Sequence, residues 1–64
     1  MPHDFYPDLV RILKGAGWHR YSGGKGSHEK WRHPASGKTL VVPRTKSRHT
    51  ANDILKDAGL PKAF

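Results

Sequence analysis

The sequence predicts an α+β domain of order α-β-β-β-α, in which a three-stranded antiparallel sheet carries two helices on one face. Three observations lead there. Two nearly identical hexapeptides, Ile12-Leu13-Lys14-Gly15-Ala16-Gly17 and Ile54-Leu55-Lys56-Asp57-Ala58-Gly59, stand toward the two ends of the chain, and each closes an apolar stripe at helical spacing. Three short stretches between them have strand composition and are separated by glycine- or proline-bearing turns. The middle stretch alternates strictly, so His28, Lys30 and Arg32 fall on one face and Glu29, Trp31 and His33 on the other. Because the strands between the hexapeptides have no second copy, the echo is one packing solution used twice, not a repeat architecture.

Each element has its own signal. Pro7 suits the first turn of a helix and Asp8 sits where the macrodipole favours an anion, so the first helix is predicted to begin there. Leu9, Ile12, Leu13 and Ala16 form its stripe, Arg11 and Lys14 lie off it, and Gly17 is its stop. Trp18-His19-Arg20-Tyr21-Ser22 reads as the first strand and Gly23-Gly24-Lys25-Gly26 as the hairpin connection. The second strand covers His28 to His33, with Trp31 facing inward and the basic set outward. Pro34-Ala35-Ser36-Gly37 is a turn by composition, and Thr39-Leu40-Val41-Val42 is the third strand, closed by Pro43. Arg44 to Arg48 forms a basic connector of ordinary loop length. Thr50-Ala51-Asn52-Asp53 has the form of a capping box, so the second helix is predicted to start at Thr50, with Ala51, Ile54, Leu55 and Ala58 as its stripe and Gly59 as its stop. Two helices on one side leave the other face of the sheet in water.

Length and composition narrow the function. At 64 residues the chain, 1–64, reads as one domain, and a domain of that size hides only about 60% of the surface its unfolded chain exposes. Hydrophobic residues make up 34% of it, and no apolar run approaches the roughly 20 residues of a membrane span. The Met-Pro-His-Asp start lacks the apolar segment of a signal peptide. The absence of cysteine excludes disulfides and thiolate metal sites and leans toward the cytoplasm. Twelve Lys+Arg against five Asp+Glu leave a net charge of +7, which points to a polyanionic partner, nucleic acid ahead of an acidic protein.

Gly26-Ser27-His28, an aromatic three residues on at Trp31, Arg32-His33-Pro34, Val42-Pro43, and Thr50 followed by Ile54-Leu55-Lys56 and Ala58-Gly59 form an ordered set. Over nearly the whole chain this set resembles the HicA family of mRNA interferase toxins. The resemblance implies a double-stranded-RNA-binding-domain-like fold, an endoribonuclease activity on mRNA that rests on the histidine of the triplet, here His28, and neutralisation by a cognate HicB antitoxin in a type II toxin-antitoxin system. Typical members carry a histidine soon after the third-strand Val-Pro-Arg, whereas here Thr45 follows Arg44 and the nearest imidazole is His49.

The residues themselves allow that chemistry without a cofactor. Cleavage through the ribose 2′-hydroxyl needs a base, countercharge for the phosphorane and an acid for the departing 5′-oxygen, and an imidazole suits either proton role. Lys25, Lys30 and Arg32 supply countercharge, the backbone amides of Gly26 and Ser27 suit a phosphate, and Arg44, Lys46 and Arg48 extend the cationic surface. The expected products are a 2′,3′-cyclic phosphate and a 5′-hydroxyl, with DNA resistant. His19 and His33 are candidates for a second proton carrier, although strand parity places His33 with Trp31 in a packed role. The same parity turns Glu29 away from His28 and argues against a His-Glu dyad. His3 and His49 read as solvent-exposed, Trp18 and Trp31 as core, and Tyr21 as the aromatic available for stacking on RNA. No zinc-ligand spacing is present, since His28 and His33 face opposite ways, and the glycine loop lacks the ending of a nucleotide P-loop. Two other readings fit the same residues: a non-catalytic RNA-binding module, and a small basic protein that docks an acidic partner.

Overall fold

The computed structural model describes residues 4–22 and 28–64. The observed order is α1 (Tyr6–Gly15), β1 (His19–Ser22), β2 (His28–His33), β3 (Lys38–Pro43) and α2 (Arg48–Asp57), the predicted α-β-β-β-α. The strands form one antiparallel sheet in the order β1-β2-β3. In β2–β3 the register runs without a break from His28 opposite Pro43 to His33 opposite Lys38, whereas β1–β2 shifts between Arg20 and Ser22, leaving Tyr21 as the extra residue of a bulge.

The alternation read from residues 28–33 is what the sheet uses. Trp31 is 1% exposed and Glu29 and His33 are half-buried, while His28, Lys30 and Arg32 are exposed. Leu9 and Leu13 from α1 and Ile54 and Leu55 from α2 meet Trp18, Trp31 and Val42 in one apolar cluster, so both helices cover the same side of the sheet. Ala51 is also fully buried, and the small side chain there suits the close approach of α1 and α2. At about 25 cal/mol per Å² of apolar area, these few large side chains supply most of the driving force available to so short a chain. No buried side-chain nitrogen or oxygen among the described residues lacks a hydrogen-bond partner.

The matching hexapeptides produce matching helix ends. Beyond α1, Gly17 donates to the Lys14 carbonyl (3.1 Å) and Trp18 to that of Leu13 (2.9 Å); beyond α2, Gly59 donates to Lys56 (3.0 Å) and Leu60 to Leu55 (2.8 Å). Gly17 and Gly59 have φ of +92° and +77°, the left-handed geometry this paired-bond C-cap requires. The residue that follows is apolar in both places. Trp18 and Leu60 fold back onto the core, which explains why β1 starts at His19 instead of the predicted Trp18: the indole's position is set by the helix cap.

Besides β1, three elements have limits that differ from expectation. α1 begins at Tyr6, ahead of Pro7, because Asp4 Oδ1 accepts from the Tyr6 amide at 3.1 Å and so takes the capping role. α2 begins at Arg48, not Thr50: Ser47, with extended φ and ψ, accepts from the Thr50 amide through its Oγ at 3.3 Å and is the N-cap. Thr50 is thus a residue of the first turn, the Thr50/Asp53 capping box does not form, and the basic connector is reduced to residues 44–47. β3 is one residue longer at each end than the predicted Thr39–Val42. Past α2 the chain returns along the helix, where Asn52 accepts from the Ala63 and Phe64 amides and donates to the Phe64 carbonyl, and the Phe64 ring meets Phe5 edge-on at 5.1 Å. No helix among the described residues is long and apolar enough to cross a membrane.

Candidate nucleic-acid interface

The face of the sheet opposite the helices is formed by alternate residues of each strand. On β2 these are His28, Lys30 and Arg32, all exposed. Their partners on β3 are Pro43, Val41 and Thr39, and on β1 Arg32 lies opposite His19 while the bulge sets Ser22 against Lys30. Glu29 is the only carboxylate in the three strands, and it belongs to the other face. An exposed imidazole therefore opens a row of two fixed cations on a surface whose strands contribute no acid. A phosphate meets attraction along the whole row.

The site residues anticipated from the sequence divide into three sets. His28, Lys30 and Arg32 are brought together on the open face. Arg44, Lys46 and Arg48 continue from the His28 end, since Arg44 follows Pro43, the partner of His28. All three are exposed, but the Arg44 guanidinium lies over the Tyr6 ring, 4.9 Å from its centroid, and is drawn toward the start of α1. Lys25, Gly26 and Ser27 lie outside the described residues. Of the other imidazoles, His33 is structural: its Nε2 meets the Ala16 carbonyl at 3.1 Å, its Nδ1 meets Ser36 Oγ at 2.8 Å, and its ring packs on Trp18. His19 is exposed on the open face but lies opposite Arg32, four residues along β2 from His28 and so about 13 Å away at strand rise. His49 lies beyond β3, in a surface groove on α2 with Asn52, Asp53 and Lys56.

Behind His28, the neighbouring residue of the strand is a polar group anchored by three other side chains. Tyr6 Oη donates to both Glu29 carboxylate oxygens at 2.6 Å, Trp31 Nε1 donates to Oε1 at 3.1 Å, and Arg20 donates to Oε2 at 3.1 Å. Burial alone raises the Glu29 pKa, yet the hydrogen bonds from Tyr6, Trp31 and Arg20, together with the Arg20 charge, outweigh it and hold the carboxyl below its ordinary value of 4.5. On the partner side, burial first and then the Glu29 carboxylate push the Tyr6 phenol above its ordinary value. One ionised side chain thus joins α1, β1 and β2 at the end of the strand where His28 is displayed. Alternation along β2 turns Glu29 inward, but no spacing in the sequence links it to Tyr6 or Arg20. The available signal was a carboxylate at a core-facing strand position, which needs donors from other elements.

Two surface recesses of about 330 Å³ each lie away from this face, one between α1 and the sheet lined by Tyr6, Val10, Lys14, Arg20 and Trp31, the other the groove on α2; neither includes His28. The described residues contain no group of three or more His, Cys, Asp or Glu side chains that could hold a metal ion. No curated protein and no solved structure matches the chain. A family model does, that of the HicA toxin of bacterial toxin-antitoxin systems, over residues 6–60, from the first residue of α1 to the apolar residue after the α2 cap. With this match covering every element of the fold, the chain belongs to the HicA toxin family, whose members function opposite an antitoxin partner.

Proposed function

We propose that this toxin is a metal-independent endoribonuclease that cleaves mRNA, with His28 as its catalytic residue and a HicB-like protein as its antitoxin. One observation carries the reading: an exposed imidazole at the head of β2, in line with Lys30 and Arg32, on a face to which the strands contribute no carboxylate. Neutral His28 removes the proton from a ribose 2′-hydroxyl, and O2′ attacks the adjacent phosphorus. The bond to the 5′-oxygen breaks, leaving a 2′,3′-cyclic phosphate, and the departing oxygen takes a proton from water or from the imidazolium. Lys30, two residues along the strand, is placed to offset charge on the non-bridging oxygens. At about 13 Å, His19 is too far from His28 to serve the same phosphate. General base catalysis by one group contributes roughly 10²- to 10⁴-fold, the scale of loss expected for His28→Ala. An mRNA substrate places the protein in the cytoplasm, and an antitoxin that silences it must cover this cationic face.

The test is cleavage of an mRNA in the presence of EDTA, with product ends identified. The unaltered protein yields cyclic phosphate and 5′-hydroxyl ends and leaves DNA of the same sequence intact, whereas His28→Ala retains RNA affinity without forming products. Cleavage at the original rate by His28→Ala, or equal cutting of DNA, ends the proposal. One imidazole per phosphate also suits a module that holds RNA without cutting it; binding by both proteins with no products from either identifies that reading.

A further inference from the structure

The open face also carries the two large hydrophobic side chains that remain exposed among the described residues, Tyr21 at 56% and Val41 at 50%. They flank one cation. Val41 is the register partner of Lys30 on β3, and Tyr21 is the bulged residue inserted on β1 where Ser22 meets Lys30. With adjacent strands about 4.8 Å apart, Tyr21 and Val41 stand roughly 10 Å from each other across β2, a width that accepts one nucleobase. His28 lies two residues away along the strand, about 7 Å, which is the side on which the ribose and 3′-phosphate of that nucleotide would fall.

From this arrangement we infer that the sheet face takes single-stranded RNA, with one unpaired base seated on Tyr21 and against Val41, its phosphates on Lys30 and Arg32, and its 2′-hydroxyl at His28. The inference rests on the nuclease reading above and adds its substrate class. Three physical points favour a single strand over a duplex. Aromatic rings on an open sheet gain stacking energy only from a base whose face is free, and a base inside a duplex has none to offer. Duplex RNA is gripped through sugars and phosphates across two successive minor grooves, a footprint of about 16 base pairs, whereas the cations of this face form one short row on a single strand. An apolar pair facing the sugar-phosphate surface of a duplex would lose its partners without gaining contacts. The resemblance to a duplex-binding fold and the chemistry of the exposed face thus point to different RNA substrates, and the side chains decide between them.

The experiment uses the full chain with His28→Ala, so that RNA survives the measurement, and follows fluorescence anisotropy of a short unstructured oligoribonucleotide and of a hairpin duplex of equal length at one salt concentration. The single strand is expected to bind at least about ten-fold more tightly. Adding Tyr21→Ala should weaken single-strand binding by roughly 5- to 150-fold and leave duplex binding nearly unchanged, while Tyr21→Phe, which keeps the ring, should bind as the parent does. Because Tyr21 is exposed at a sheet edge, melting curves of both variants should overlay that of the parent. Equal or tighter binding of the duplex, or an unchanged single-strand affinity for Tyr21→Ala, overturns the inference, and the second result leaves the apolar pair to a protein partner. Failure of the two proposals can be told apart. His28-dependent cleavage with Tyr21-independent binding sinks the substrate assignment alone; Tyr21-dependent single-strand binding by a protein that never cuts RNA sinks the nuclease alone.

Discussion

The two faces of β2 put consecutive residues to opposite uses. On the helix-covered side, the side-chain polar atoms of Glu29, Trp31 and His33 are satisfied by Tyr6 of α1, Arg20 of β1, one another, the Ala16 carbonyl at the α1 cap and Ser36 in the turn after β2. On the open side, His28, Lys30 and Arg32 face solvent, and the two fixed cations share one strand face. Like-charged neighbours on an exposed strand do not help the chain fold, and the proposed RNA ligand would account for them, whereas the inward set is explained by folding alone. The comparison teaches that in so small a domain stability and chemistry are separated by side-chain parity, not by distance.

That separation can be broken most forcefully from the inside. Trp31→Ala should remove about 3–5 kcal/mol, comparable to the whole stability of a 64-residue domain, and a chemical denaturation curve should show little or no folded baseline. A smaller loss of about 1.5–3 kcal/mol is expected for Glu29→Gln, which weakens the charge-assisted bonds from Tyr6 and Arg20. Its pH dependence carries a sign. Since the folded carboxyl lies below 4.5, Glu29 contributes stability that is complete above its unfolded value and is lost as the pH falls through the lowered one. The stability gap between parent and Glu29→Gln should therefore be constant from about pH 6 to 8 and close under acid conditions; a gap that widens toward low pH contradicts the assignment.

The two helix caps offer a finer contrast. Alanine at either Gly17 or Gly59 meets the left-handed penalty of about 1–2 kcal/mol, but a Cβ at Gly17 would stand 3.2 Å from His33 Nε2, whereas at Gly59 nothing lies within 4 Å. Gly17→Ala should be the more destabilising of the pair by equilibrium denaturation, since the His33 ring is held by Ala16 and Ser36 and has little room to yield. The smallest effect belongs to the open face. Lys30→Ala should change stability by less than about 0.5 kcal/mol while lowering the salt dependence of single-stranded RNA binding by about 0.7 in the log–log slope.

Most of the scaffold was legible in the sequence because its signals are local. The hexapeptides predict both C-caps, alternation in 28–33 predicts which residues face the helices, and the same parity places His28, Lys30 and Arg32 together on the open side. What was not legible depends on contacts between distant residues or on competition between near-equal caps. Ser47 and Thr50 are both good N-caps, and the extended backbone at Ser47 decides between them. Tyr6 is 23 residues from Glu29, and no spacing rule links them. An unbroken register would set Tyr21 opposite Lys30; the bulge gives that place to Ser22, and a period-two reading does not contain it.

Neighbouring residues of β2 divide the labour of folding and chemistry, and His28→Ala tests that division in one side-by-side measurement of melting temperature and mRNA cleavage. The predicted result is a melting curve that overlays the unaltered protein together with a loss of cleavage of roughly 10²-fold or more. Cleavage that survives the substitution, or a fall in melting temperature of about 4–8 °C, the equivalent of 1 kcal/mol in a domain of this size, would contradict it.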